Sequence, residues 1–308
     1  MRNVTLSASA AIAVLLGSAA QAGTGHQWGD YRWNTNGSTG TNVLALDVSY
    51  KFADKAYWLK YYVDATGGGV TGALKKWDDG TATYSSPLAL NDKGETNTTT
   101  SAACDHIDGE VLVCADAYGT TEGWVGIAEI DADASNYILW ATARFNDSYY
   151  RAAPYSATYD NDAQRQFVSC HEIGHTFGLG HLDTSFYNPN KGSCMDYTAD
   201  PDGDGKRSKD NRNPGDVDWQ VLLSNTMYGT LSGGGGKGGG KPRLDPFEFR
   251  EVGSASPSPE GIANGRFGRI VAYDDLGRPV EYVRDLANGH KRITFVTWAK
   301  GYRPEDSR

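Results

Sequence analysis

Beyond its first residues the chain has no apolar run long enough to cross a bilayer, and its 308 residues include only four cysteines and three methionines. The first absence argues against a transmembrane anchor. No two cysteines stand in a C-x-x-C pair, which disfavours a four-thiolate structural zinc as their use. Basic charge is also short, with 29 Lys+Arg against 38 Asp+Glu and a formal net charge of −9, so nothing draws the chain globally to nucleic acid.

The single early apolar run, Ala8 to Ala20, follows Arg2 and ends at the small-x-small sequence Ala20-Gln21-Ala22. It reads as a signal peptide over residues 1–22, with the mature chain starting at Gly23 and secreted. The residue directly after that cleavage point is Gly23 and not cysteine, which argues against a lipid anchor. In an exported protein four cysteines imply two disulfides, with three pairings open. Cys104 with Cys114 would staple a short loop about Asp108-Gly109, and Cys170 with Cys194 would join the residue before His171 to the residue before Met195.

Charge and composition break together at Gly233. Residues 233–242 (GGGGKGGGKP) read as a linker, and from Gly233 onward the balance is +3, leaving −12 before it. The organisation implied is an N-terminal segment 23–42, a main domain 43–232, the linker 233–242 and a small C-terminal region 243–308. In the main domain, Val43 to Phe52 and Tyr57 to Val63 alternate as half-buried strands do. Further strands are expected at Gly109 to Asp116 and Trp124 to Ile130, whereas Tyr137 to Phe145 fits strand or helix. Strands followed by a helix and then irregular chain give an α+β class. Phe267 to Tyr273, Val280 to Arg284 and Arg292 to Trp298 suggest a small β-meander at the C-terminus, where His290 has no ligand partner in sequence.

The chemistry lies in His171-Glu172-Ile173-Gly174-His175-Thr176-Phe177-Gly178-Leu179-Gly180-His181. On a helix starting near Asp160 or Asn161, with Asp162 in its first turn, His171 and His175 share one face and can share one metal ion. Glu172 sits beside them as general base for a water. Gly178 ends the helix by taking a left-handed conformation, so that His181 returns as third ligand. Three histidines with an open fourth position describe a catalytic zinc site.

This H-E-x-x-H-x-x-G-x-x-H pattern resembles the metzincin zinc metalloendopeptidases, and Ser193-Cys194-Met195-Asp196-Tyr197 resembles their methionine turn through Met195. The likeness extends over roughly residues 44 to 229 and is nearest to matrixins and small secreted bacterial metzincins: Val70, Leu74 and Trp77 match the spacing of a first family helix and Asp216 to Gly229 the last. It implies a twisted mixed sheet, secreted Zn2+-dependent endopeptidase activity on protein or peptide substrates, and a substrate strand laid along an edge strand. Gly126, Ile127 and Ala128 are the candidate edge. Tyr197 stands where some metzincins place a tyrosine near zinc, against the plainer reading as one of eighteen tyrosines in the core. No P-R-C-G-x-P-D cysteine switch occurs, and Leu182 follows His181 where matrixins carry Ser. Of the early side chains His26 and Asp30 are the ones able to mask zinc, although both read more simply as loop groups. Asp200, Asp202 and Asp204, with Gly205 for a bend, have the spacing of a Ca2+ loop, but Asn211 replaces Glu at the twelfth position and an acidic surface loop fits slightly better. Alternatives of other classes are a silent secreted zinc-binding or adhesion module and a zinc hydrolase acting on a non-peptide substrate.

Overall fold

A computed structural model of the chain describes residues 26–34, 44–63, 72–121, 123–204, 206–224, 227–229 and 267–302. The expected signal segment 1–22, Val43, Val70, Gly205 and the linker 233–242 lie outside these residues. The architecture is α+β, built on one mixed sheet.

Its strands are β1 (Arg32–Trp33), β2 (Leu44–Phe52), β3 (Leu88–Glu95), β4 (Val111–Asp116), β5 (Trp124–Ala132), β6 (Tyr137–Asn146), β7 (Arg269–Tyr273), β8 (Pro279–Asp285) and β9 (Lys291–Trp298). They lie in the order β3-β2-β4-β6-β5-β9-β8-β7, with β1 paired to the start of β6. β3, β2, β4 and β6 are mutually parallel, and from β5 onward every neighbour is antiparallel. The parallel part reads as unbroken apolar sequence because both its faces are covered: Val111, Leu112, Val113, Cys114 and Ala115 of β4 are all fully buried.

The helices are α1 (Lys55–Tyr62), α2 (Ala73–Asp79), the short α3 (Ser148–Arg151) and α4 (Ser156–Tyr159), α5 (Asp162–His175) and α6 (Asp216–Leu222). Residues 57–63, expected as a strand, are instead the helix α1 up to Tyr62 with Val63 as its C-cap. Asp54 accepts a hydrogen bond from Tyr57 N at 3.1 Å as an N-cap, and Trp58, Tyr61 and Tyr62 bury one face at i, i+3, i+4 spacing. Residues 137–145, left between strand and helix, are the strand β6. In α2, Leu74 and Trp77 point into the core, where Trp77 Nε1 donates to the Cys170 carbonyl of α5 at 3.0 Å. α6 stops at Leu222, short of the expected Gly229, where Tyr228 N bonds back to the Leu222 carbonyl.

α5 crosses the inner face of β5 and β6 with α1 and α2 beside it. Asn161 caps it, accepting from Gln164 N at 2.9 Å, as the sequence suggested. The C-terminal meander forms at the expected places but has no sheet of its own. β9 is hydrogen-bonded along the whole of β5, so the sheet runs on from one segment to the other.

Candidate metal centre

The left-handed turn expected at Gly178 is present, with φ +91°. A methyl group there would overlap the Tyr31 carbonyl, so the turn also needs the small residue for space. The N-terminal segment holds it from outside: Gly180 N donates to the His26 carbonyl at 2.6 Å and Trp28 N to the Gly178 carbonyl at 3.3 Å. The chain therefore reverses directly after α5 and brings His181 back to the two helical histidines.

Among the described residues the group of His, Cys, Asp and Glu side chains able to hold a metal ion is His171, His175 and His181, whose ligand atoms lie within 4.8 Å of one another. His171 Nδ1 meets the Cys194 carbonyl at 2.6 Å and His175 Nδ1 the Leu179 carbonyl at 2.7 Å. A carbonyl only accepts, so Nδ1 carries the proton in both rings and each Nε2 presents a lone pair. Those two Nε2 atoms stand 3.1 Å apart, and His181 Nε2 is buried with no hydrogen-bond partner among the described residues. Three inward lone pairs in a dry pocket repel unless a cation joins them, and this donor set suits a borderline-soft divalent ion. The residues fit a metal. Burial, reinforced by the neighbouring imidazoles, also pushes the His171 and His175 pKa values well below the usual histidine range, keeping the rings neutral as ligands must be.

Glu172 is fully buried, and that desolvation pushes its carboxyl up to about 8, against a hydrogen bond from Thr297 Oγ1 at 2.6 Å. Its other oxygen, Oε2, has no hydrogen-bond partner among the described residues. The carboxyl leans on Gly126 of β5, where any added Cβ would overlap Oε1. Gly126 is therefore small because a carboxylate occupies the space its side chain would take.

Met195 packs on α5 between the two helical histidines in sequence: its sulfur would overlap a methyl built on Gly174, so helix and turn touch only because residue 174 is glycine. Both expected disulfides are present, Cys104–Cys114 and Cys170–Cys194, the second tying α5 to the Met195 turn. Tyr197 packs its ring 5.3 Å from that of His181, and burial keeps its phenol protonated. Its hydroxyl accepts from Trp298 N at 2.6 Å and donates to the Val296 carbonyl at 3.2 Å. Tyr197 thus packs in a buried apolar cluster, as the plainer reading has it, with its ring beside that of His181.

Other sequence candidates fall elsewhere. Asp204 spends Oδ1 on the backbone N–H groups of Lys206, Arg207 and Ser208, so the Asp200, Asp202, Asp204 run closes on itself as an acidic turn. His26 is no mask for the histidines, since its Nε2 lies 2.7 Å from Asp218 Oδ1 on α6. Asp30 accepts from Gln27 Nε2 at 3.1 Å. His290 stands 3.9 Å from Asp131, outside the cluster.

Three contributors beyond the linker, and one on α6, were not identified from sequence. Glu281 Oε1 is 3.3 Å from His181 Nδ1, orienting the third histidine as the two carbonyls orient the others. Phe295 stacks on His175 with ring centroids 4.1 Å apart. Thr297 holds Glu172, as above. A signal existed for β9: in Ile293 to Trp298 both alternating sets contain apolar residues, the mark of an interior strand. The α6 contributor is Asp218, which accepts from Ser193 Oγ at 2.8 Å and from Gly215 N at 2.6 Å, while Ser193 Oγ accepts from Met195 N at 2.9 Å. Replacing Asp218 with alanine strands these buried donors and is expected to cost on the order of 3 kcal/mol. A urea unfolding midpoint equal to the parent's would remove Asp218 from this role.

The sequence matches no protein-family model and no curated protein.

Proposed function

We propose that the chain is a secreted zinc-dependent endopeptidase of metzincin type. The observation that carries this reading is the convergence of three bare imidazole Nε2 atoms with Glu172 one residue along the same helix. Two disulfides support an exported protein, and among the described residues no helix is long and apolar enough to cross a membrane.

His171, His175 and His181 would hold the ion through Nε2. Bound there, zinc supplies a Lewis acid that polarises a peptide carbonyl and acidifies water. Glu172 takes the proton from the attacking water and passes it to the departing amine, a role that suits a carboxyl held in a dry pocket. Tyr197 donates its phenolic hydrogen to charge developing on the carbonyl oxygen. β5, expected as a sheet edge, is interior, paired to β6 and β9, so a substrate backbone would pair with Gly126, Ile127 and Ala128 only on the side that β9 occupies.

Peptide-library cleavage, combined with metal analysis of the purified chain, tests the proposal. The expected result is about one zinc per chain and cleavage that stops on treatment with 1,10-phenanthroline and returns on adding zinc. Chelator-insensitive cleavage would exclude the metal mechanism. Zinc binding without peptide cleavage would favour the silent module or a non-peptide substrate.

A further inference from the structure

The strand proposed to receive substrate is already paired. Gly126, Ile127 and Ala128 face Thr297, Val296 and Phe295 of β9 in antiparallel register. β9 and its neighbour β8 also engage the reactive side chains one by one: Thr297 bonds Glu172, Phe295 covers His175, Glu281 meets His181, and the Tyr197 hydroxyl is held between Val296 O and Trp298 N. With the meander in place His171, Glu172 and His175 are all 0% exposed. The cleft lined by Trp33, Asp108, Asp131 and His290 opens elsewhere and includes none of them.

We infer that the C-terminal meander, β7 to β9, is a built-in substrate mimic that keeps the centre closed, with β9 in the place of the peptide to be cut. The inference rests on the peptidase reading of the same site. An extended chain in antiparallel register on β5 is what strand-addition recognition gives to a substrate backbone. A second set of contacts clamps the meander over the cleft: Ser185 Oγ donates to Asp275 at 2.6 Å and Ala299 N to the Gly123 carbonyl at 2.8 Å. Trp298, Tyr282 and Val280 share a small apolar cluster with Tyr197 and Phe186. Belonging to the same chain places the mimic at about millimolar local concentration, so it outcompetes any dilute peptide. The charge division agrees, a +3 segment from Gly233 onward against −12 before it.

Breaking the covalent tether should make the closure dilutable. A recognition sequence for a specific protease is inserted between Gly236 and Lys237, and the full chain is folded, loaded with zinc and then nicked. Backbone hydrogen exchange of β5, which does not depend on turnover, is followed from micromolar to nanomolar protein alongside hydrolysis of a fluorogenic peptide. Expected on dilution is faster exchange at residues 124–132, unchanged protection of β2 and β4, and a rise of at least about tenfold in hydrolysis per molecule. The un-nicked F295A/T297V chain should show the same two changes without dilution. Faster β5 exchange with no peptide hydrolysis would keep the mimic and sink the peptidase reading. If β5 protection is unchanged at every concentration and in F295A/T297V, the meander is a permanent part of the sheet and the inference fails. It fails equally if β2 and β4 lose protection with β5, because the meander is then needed for the fold itself.

Discussion

Glu172→Gln should retain its zinc and lose roughly 10³-fold or more of its peptide turnover, measured on the nicked and diluted protein to keep the cleft open. Glutamine has the shape of glutamate and can rest against Gly126 of β5, and while β9 is in place it can accept from Thr297 Oγ1, so the packing around position 172 survives in the closed and the opened protein. What it cannot do is take a proton from water. His171, His175 and His181 would hold the metal, and none of them is oriented by Glu172: the first two bond the Cys194 and Leu179 carbonyls, outside the meander. Zinc content by mass spectrometry and turnover should therefore separate completely. Parental turnover in the variant would mean that some other group moves the proton. Loss of zinc together with activity would give Glu172 a structural part in holding the helix against β5.

The three clustered histidines and Glu172 were readable from the sequence; the side chains packed against them were not. Ligand spacing on a helix is local, so residues 171 to 181 announce their geometry through the 3.6-residue period and one glycine. Met195 and the Cys170–Cys194 link were also reachable, because short motifs carry them. Residues 57–63 misled for a physical reason: aromatic and apolar side chains at Tyr57, Trp58, Leu59, Tyr61 and Tyr62 satisfy a period of two almost as well as 3.6, and the cap at Asp54 decides.

The neighbours of the reacting groups lie far along the chain. Thr297 is 125 residues from Glu172, and Glu281 is 100 from His181. No periodicity links such pairs; they meet because β9 finds the free side of β5, a choice made by sheet pairing after both strands exist. The same holds for Asp218, whose approach to Ser193 and His26 depends on how α6 docks. From sequence the C-terminal segment could be assigned strands and turns, while its partner strand could not.

Removing the Cys170–Cys194 link by serine substitution at both positions should cost about 3.5 kcal/mol of stability from the freed loop and should weaken zinc binding as well. The second effect is specific to this bridge. The Cys194 carbonyl accepts from His171 Nδ1, and Met195 seats against Gly174, so the covalent tie holds a metal ligand's hydrogen-bond partner in register with α5. Loss of such a partner typically lowers metal affinity about 10- to 100-fold. Cys104–Cys114 provides the comparison. It closes a loop of similar order, separation 10 against 24, and its removal should cost about 2.8 kcal/mol. Its sulfurs pack with Leu112 and Ile107 and touch none of the three histidines. Zinc competition titrations on the two double-serine variants, at a temperature where both remain folded, should thus show weakened binding for the first and parental binding for the second. Equal weakening in both would mean that the bridge beside His171 acts only through overall stability, and that the Met195 turn keeps its position without it.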